Sequence, residues 1–177
     1  MNKDLIEQAR LQLKKAARVM ICSHIRPDGD AIGSVLGLGL ALQNAGKYVQ
    51  MVLADGVPSA LRFLPGSELI VNNPEEGFDL VIAVDSGTID RVGNIMDGID
   101  KIHINIDHHP DKTRFAEINL VDPQAAATAQ ILAGLLEEWG YEITPVIASD
   151  LLSGMITDTI GFKTENMHPE VLRVAAD

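Results

Sequence analysis

The 177-residue chain has the length of one domain, and its formal net charge of -11 disfavours long duplex nucleic acid as a partner, because phosphate backbones are bound by clustered Lys and Arg. Its one cysteine, Cys22, excludes an intrachain disulfide framework and indicates a reducing compartment. The N-terminus lacks the pattern of a signal peptide and no segment approaches the ~20 apolar residues of a membrane span, so we expect a cytoplasmic protein without membrane contact.

Two hydrophobic periodicities alternate along the chain, one with the period of an amphipathic helix and one with the short apolar runs of buried strands. In chain order they predict a helix over 5–16, a strand at 18–23, a helix over 31–45, strands at 48–54, 79–86 and 101–107, and helices over 125–140 and 144–159. Gly46 marks the end of the second helix, and Pro145 lies in the first turn of the last one. The final residues, HPEVLRVAAD, carry a further helical pattern.

The composition agrees with this alternation. Apolar residues make up 46% of the chain and aromatic residues only 4%, so the core must be built from Ala, Val, Ile and Leu. Strands that alternate with helices are typical of a parallel sheet. The predicted fold class is therefore α/β, with a Rossmann-like parallel sheet of about five strands and helices on both faces. In such sheets ligands bind at the carboxyl ends of the strands.

Polar residues follow three of the predicted strands at the point where each strand ends. They are His24, Asp28 and Asp30 after the first strand, Asp85 after the third, and Asp107, His108 and His109 after the fourth, with Asp158 near the end of the last helix. Four of these carboxylates and two imidazoles would suit a pair of Mn²⁺-like or Mg²⁺-like ions better than a structural zinc site. The other histidines, His103 in a strand and His168 at a helix start, are predicted to be structural.

The stretch PDGD at residues 27–30 is also typical of a plain turn. We expect Gly29 to adopt backbone angles that other residues avoid, so that Asp28 and Asp30 face one concavity. A helix that begins near Ala31 would direct its amides and positive dipole end to the same place, which favours anions there. The sequence therefore predicts a metal site set against a helix N-terminus.

Four stretches, SHIRPDGDAIGS, VDS, IDHHP and GMITDTIGF, resemble the four motifs of the DHH phosphoesterase superfamily. RFLPGSE and INLVDPQAAATAQIL are similar to its bacterial nano-RNase and pAp-phosphatase branch. The resemblance implies that residues 1–177 form the catalytic DHH domain, and that a C-terminal substrate-binding domain lies outside this sequence. Two positions depart from the pattern, since Ile160 stands where glycine is usual and Lys112 where asparagine is common.

The resemblance also implies roles for individual residues. The metal ligands would form two sets that share Asp85. The first set is His24, Asp28 and Asp85, and the second is Asp30, Asp85, His108 and Asp158. Asp107 would orient the histidines, and His109 would contact the substrate phosphate, so that Asp85, Asp107 and His109 carry the catalytic roles. The expected ions are Mn²⁺, with Mg²⁺ and Co²⁺ as alternatives.

The function expected from these residues is hydrolysis of short oligonucleotides, linear dinucleotides or pAp by metal-activated water. Arg26 and Arg114 are candidates for stabilising the substrate phosphate, although surface charge is the simpler interpretation of both. Two alternatives stay open: an inorganic pyrophosphatase-like hydrolase and a non-catalytic nucleotide-binding regulatory module. A homodimer is compatible with the sequence, which does not decide the oligomeric state.

Overall fold

The computed structural model describes residues 1–110 and 113–177, so the Lys112 position lies outside the described residues. Within those ranges the chain forms one six-stranded sheet and five α-helices. The strands are β1 Arg18–Cys22, β2 Tyr48–Val52, β3 Ile70–Val71, β4 Leu80–Val84, β5 Ile104–Asp107 and β6 Ile118–Val121. The helices are α1 Lys3–Lys15, α2 Gly29–Asn44, α3 Thr128–Trp139, α4 Pro145–Asp158 and α5 Pro169–Ala176. Short 3₁₀ helices occupy Ser59–Leu61, Ser67–Leu69 and Ile89–Met96.

All neighbouring strands pair in parallel, in the order β3-β2-β1-β4-β5-β6, which confirms the predicted α/β class. β1 pairs with β2 on one side and with β4 on the other, so the direction of strand addition reverses between β1 and β4. Open α/β sheets bind ligands at such a switch point. Polar residues that follow β1 and β4 are therefore placed side by side.

The sheet has two more strands than the four that the apolar runs located, which corrects the estimate of about five. β3 has only two residues and is too short to show a periodicity. β5 is shorter than predicted and begins at Ile104. The Val81 amide donates to Nδ1 of His103 at 3.0 Å, so a side chain replaces a backbone acceptor where the ladder ends. His103 is thus structural, as predicted.

The two faces of the sheet are covered unequally. Alternate residues of β1 and β4, such as Ile21 and Ile82, enter a large apolar core to which α1, α2, α3 and α4 all contribute. The intervening residues, such as Met20 and Ala83, enter a smaller core with Val92 and Ile95 from the 3₁₀ segment. Helices thus lie on both faces, but the α-helices in the described ranges pack against the larger core. None of these helices has the length and hydrophobicity needed to cross a membrane.

Helix α2 begins at Gly29, two residues before the predicted start, because Asp28 caps it. The Asp28 carboxylate accepts hydrogen bonds from the amides of Asp30 and Ala31 at 3.1 and 3.0 Å. The backbone role predicted for Gly29 is wrong, since Gly29 lies inside the helix and has no positive φ. A side chain at Gly29 would instead overlap Thr157, so the glycine is needed for close packing of α2 against α4.

Two further starts differ from the sequence patterns. α3 begins at Thr128 rather than at residue 125, because Ala127 has extended backbone angles, with φ -158° and ψ 154°, and the Ala126 amide donates to the side chain of Gln130. His168 occupies the N-cap position of α5, but its side chain makes no capping bond. Its Nε2 lies 2.9 Å from the carbonyl oxygen of Gln124 and ties α5 to the loop before α3.

Candidate metal centre

The six predicted metal ligands come together at the carboxyl ends of β1, β4 and β5. Five of them follow these strands or lie at the start of α2, and the sixth, Asp158, is the last residue of α4. The antiparallel contact of α2 with α4, made close by Gly29 and Gly33, places that last turn over the strand ends. The spatial convergence expected from the strand-end rule is therefore present.

The first group consists of His24, Asp28 and Asp85. Nε2 of His24 lies 3.7 Å from a carboxylate oxygen of Asp28 and 3.6 Å from one of Asp85. His24 and Asp85 are buried, with 3% and 1% of their surface exposed. Nδ1 of His24 lies 2.8 Å from the carbonyl oxygen of Ile25, which fixes the orientation of the ring and leaves Nε2 directed at the two carboxylates.

The second group consists of Asp30, His108 and Asp158. Nε2 of His108 lies 4.0 Å from an oxygen of Asp30 and 3.6 Å from one of Asp158. Asp85 also approaches this histidine, with its Oδ1 at 3.7 Å. Each group offers three ligand atoms that lie within 4.8 Å of one another.

Asp85 therefore faces both groups, one with each oxygen. Its Oδ2 approaches His24, and its Oδ1 approaches His108. Asp85 has a φ of 56°, a left-handed conformation that is uncommon for a residue other than glycine and typical of functional turns. The hydroxyl of Thr128 donates to Oδ1 at 2.9 Å and holds the carboxylate in this orientation.

Asp30 is almost fully buried, and hydrogen bonds from the first turn of α3 replace the water that its carboxylate has lost. The amides of Thr128 and Ala129 donate to its two oxygens at 2.7 and 2.9 Å, and Ser34 donates to Oδ1 at 3.3 Å. Burial and the neighbouring Asp85 nevertheless raise the pKa of Asp30 well above its usual value. The free helix amides thus bind a carboxylate that arrives from 98 residues earlier in the chain.

The Asp107 carboxylate is hydrogen-bonded to His109 rather than directed at the two ligand groups. Its carboxylate accepts the backbone amide of His109 at 3.0 Å and the amide of Gly87 at 2.7 Å, and lies 2.8 Å from Nδ1 of His109. The bond to Asp107 raises the pKa of His109, which burial alone would lower. The orienting role implied for Asp107 fits these contacts, and Nε2 of His109 is left for another partner.

Several carboxylates and His24, like His109, have displaced pKa values here. Burial lowers the pKa of His24, but its pairing with Asp28 and Asp85 outweighs burial and raises the pKa to about 10. Burial, and repulsion from Asp85 and Asp28, raise the pKa of Asp158 despite the nearby His108. Acidic groups are thus crowded more closely than their own hydrogen bonds compensate.

The donor set fits divalent cations. Nε2 of His24 is buried and makes no hydrogen bond within the described residues. Its distances to Asp28 and Asp85 exceed those of hydrogen bonds, whereas two ligands of one divalent ion, each about 2.0–2.2 Å from the metal, are separated by roughly 3–4 Å. Carboxylates and imidazoles are both common ligands of divalent metal ions.

The two arginines suggested as phosphate ligands are not joined to these groups by the contacts described for them. The Arg26 amide donates to Asp55 at 2.7 Å, and the Arg114 guanidinium lies 3.5 Å from the carbonyl oxygen of Thr113. Two residues that the sequence did not single out also lie here: Thr128, which contacts Asp85, and Arg91, which lies near His109. A threonine at a helix start suggests only a cap, and an arginine in an irregular segment suggests only a surface residue.

Comparison with known proteins gives a consistent result. Residues 18–157 match the family described as "DHH family, N-terminal domain". A bifunctional oligoribonuclease and PAP phosphatase NrnA from Thermus thermophilus is 45% identical over 162 residues, which cover 90% of this chain and 48% of that protein. The protein of the same name from Bacillus subtilis is 27% identical over 90% of this chain and 51% of its own length.

A solved structure extends the likeness to three dimensions. An exopolyphosphatase-related protein from Bacteroides fragilis is similar to this chain with a TM-score of 0.91 and 26% identity. The match covers 99% of this chain and 56% of that one. The chain thus spans about half the length of the curated relatives and of the solved structure that it matches.

Proposed function

Because the chain belongs to the DHH family, with residues 18–157 matching its N-terminal domain, we propose that it is the catalytic part of a metal-dependent phosphoesterase. The proposed ligands of two divalent ions are the six residues of the two groups above, with Asp85 shared. We propose Mn²⁺ as the ion. The proposed catalytic domain occupies residues 1–177, and substrate contacts from a further domain would lie outside this sequence.

One observation carries this proposal. The two oxygens of Asp85 face two different sets of donors, His24 with Asp28 on one side and His108 on the other. A module that only bound a nucleotide would have no need for a bridging carboxylate at the centre of two cation sites. Divalent ions at such sites supply positive charge that stabilises a phosphoryl group and activates water for attack on phosphorus.

The chain's own residues would orient the substrate and the ligands. Asp107 and the Gly87 amide fix His109, whose Nε2 can then donate to a phosphoryl oxygen. The Thr128 hydroxyl fixes the orientation of the Asp85 carboxylate, and the α3 amides fix that of the Asp30 carboxylate. The functional groups are thus held in place before any substrate arrives, which favours catalysis.

Short nucleotides are the proposed substrates. The Thermus thermophilus relative, which is 45% identical, is named an oligoribonuclease and PAP phosphatase, and we extend both activities to this chain as a proposal. The net charge of -11 argues against long nucleic acid and is compatible with a small anionic substrate held by cations. Inorganic pyrophosphate and binding without turnover are the competing outcomes of the assay.

The test compares the parent chain with Asp85→Asn, a substitution that keeps the size of the side chain but weakens its bridging capacity. Substrates are pAp, pApA, dinucleotide RNA, cyclic dinucleotides and pyrophosphate, each with Mn²⁺. We expect the parent to hydrolyse pAp or short RNA and to bind two Mn²⁺ ions per chain. The Asp85→Asn variant should lose turnover and at least one ion while keeping its circular dichroism spectrum.

Asp100→Asn is the matched control, since Asp100 is exposed and precedes β5 at the opposite edge of the sheet. It should retain activity and both ions. Turnover by Asp85→Asn at the parent rate would contradict the proposed bridging role. Preference for pyrophosphate, or binding of every nucleotide without hydrolysis, would instead favour one of the competing functions.

A further inference from the structure

Arg91 is placed beside the candidate centre by its backbone. Its amide donates to the carbonyl of Thr88 at 3.2 Å, and its carbonyl accepts the amide of Ile25 at 2.7 Å. Ile25 directly follows the proposed ligand His24, so the segment Ile89–Met96 is joined to the loop that carries the first group. Neither bond involves the Arg91 side chain, which can therefore be replaced without removing the anchor.

The guanidinium of Arg91 and the ring of His109 both lie close to Gly87. A Cβ atom at Gly87 would be 3.6 Å from Nη1 of Arg91 and 3.9 Å from Cγ of His109. Gly87 has a φ of 64°, which L side chains rarely adopt, and its amide is used by Asp107. The glycine thus keeps side-chain atoms out of the space next to these two nitrogen-rich side chains.

Arg91 also lacks the carboxylate partner that three other arginines of this acidic protein have. Arg10, Arg18 and Arg173 each pair with a glutamate. The half-buried Arg91 has no carboxylate within ion-pair distance in the ranges 1–110 and 113–177. Its guanidinium therefore has N–H donors that no carboxylate of these ranges occupies, at a position close to His109.

We propose that Arg91 is a substrate-binding residue that, together with His109, contacts the non-bridging oxygens of a substrate phosphoryl group. This proposal rests on the proposed function and deepens it. Arginine presents several N–H donors in a plane that matches phosphate oxygens, and His109 can donate from Nε2, because Asp107 occupies Nδ1. The role given to Arg26 and Arg114 from the sequence would then fall to Arg91.

The test uses Arg91→Met, which keeps the length of the side chain, and Arg91→Lys, which keeps the charge but not the planar donors. We expect kcat/KM for pAp and pApA to fall about 100-fold in Arg91→Met and less in Arg91→Lys. In a third variant, Arg91→Ala, added guanidinium ion should partly restore turnover. Mn²⁺ stoichiometry and melting temperature should stay at parent values in all three variants, which a merely structural role would not predict.

Arg10→Met is the matched control, since Arg10 lies on α1 and pairs with Glu7 at the surface. A kcat/KM within twofold of the parent for Arg91→Met would overturn the proposal. If the parent hydrolyses none of the substrates, that result counts against the proposed function alone. The affinity of Mn²⁺-loaded protein for AMP then decides, with an about tenfold loss in Arg91→Met supporting the role of Arg91 and an unchanged affinity refuting it.

Discussion

Asp30 and Asp150 are both buried aspartates, but their carboxylates have opposite surroundings. Asp30 accepts hydrogen bonds from two backbone amides and a hydroxyl. Asp150, in the middle of α4, has no exposed surface, and neither of its oxygens has a hydrogen-bond partner in the described chain. Burial raises the pKa of Asp150 to about 7. An unpaired buried carboxyl is destabilising once it must ionise.

This difference predicts a pH dependence of stability. The folded protein keeps the Asp150 proton up to about pH 7, whereas the unfolded chain releases it near pH 4. Folded protein therefore binds more protons between these values, and the contribution of Asp150 to the free energy of unfolding falls as the pH rises through that window. Replacing Asp150 by Asn should remove this loss, which amounts to at most about 4 kcal/mol.

Urea denaturation of the parent and of Asp150→Asn, at intervals from pH 4 to pH 8, measures the effect. The difference in unfolding free energy should shift in favour of the variant as the pH rises. Ser149→Ala is the control, since it alters an exposed neighbour on the same helix that does not titrate. A constant difference between parent and Asp150→Asn across the whole range would show that Asp150 is already ionised in the folded protein.

Three helices end in the same hydrogen-bonding pattern, with one residue in the left-handed conformation. After α2 and α3 this residue is Gly46 or Gly140, and after α4 it is Ile160, with a φ of 51°. In each case its amide bonds three residues back and the next amide bonds five residues back, as in a Schellman motif. Ile160 is 71% exposed, so packing offers little compensation for the strain of a β-branched residue there.

Ile160→Gly should therefore stabilise the protein by ~1 kcal/mol, because glycine adopts the left-handed conformation without strain. Chemical denaturation of parent and variant gives the difference directly. Gly140→Ala is the reciprocal control, since a Cβ there meets no neighbour within 4 Å and only the backbone conformation opposes it. It should destabilise by a similar amount. Equal stabilities of Ile160→Gly and the parent would mean that the α4 terminus relaxes to accommodate isoleucine.

The helix ends also show what a sequence can predict about elements. α2, α3 and α4 were located within three residues, because apolar periodicity, Gly46, Gly140 and Pro145 are local signals. The N-terminus of α3 was less accurate, since its N-cap Ala127 makes no side-chain capping bond. Asp30 binds the first amides of α3 from another part of the chain, and no local pattern encodes that contact.

At the scale of the whole molecule, the parallel sheet made the position of the candidate site predictable. Residues that follow β1, β4 and β5 meet at one edge whatever their separation in the sequence. Residues that depend on side-chain direction, such as Thr128 and Arg91, were not predictable. Their contacts arise only after α3 and the Ile89–Met96 segment have packed against the strand ends. The sequence pattern thus predicts which elements meet, whereas the packing of those elements determines which side chains are in contact.

The convergence of four carboxylates from three parts of the fold also predicts that divalent ions stabilise the fold. Ions that bind only the folded chain, at a hundred times their dissociation constant, add about 2.7 kcal/mol, which corresponds to roughly 5–10 °C for a protein of this size. Scanning calorimetry in EDTA and in Mn²⁺, at matched ionic strength, measures this gain.

Asp158→Asn removes a carboxylate whose pKa is raised by burial and by repulsion from Asp85 and Asp28. Without metal, this variant should therefore have a melting temperature no lower than that of the parent. With Mn²⁺, its melting temperature should rise by less than that of the parent. An equal rise in melting temperature in both proteins would show that Asp158 binds no ion. No rise in the parent would mean that the folded chain binds no stabilising cation at these carboxylates.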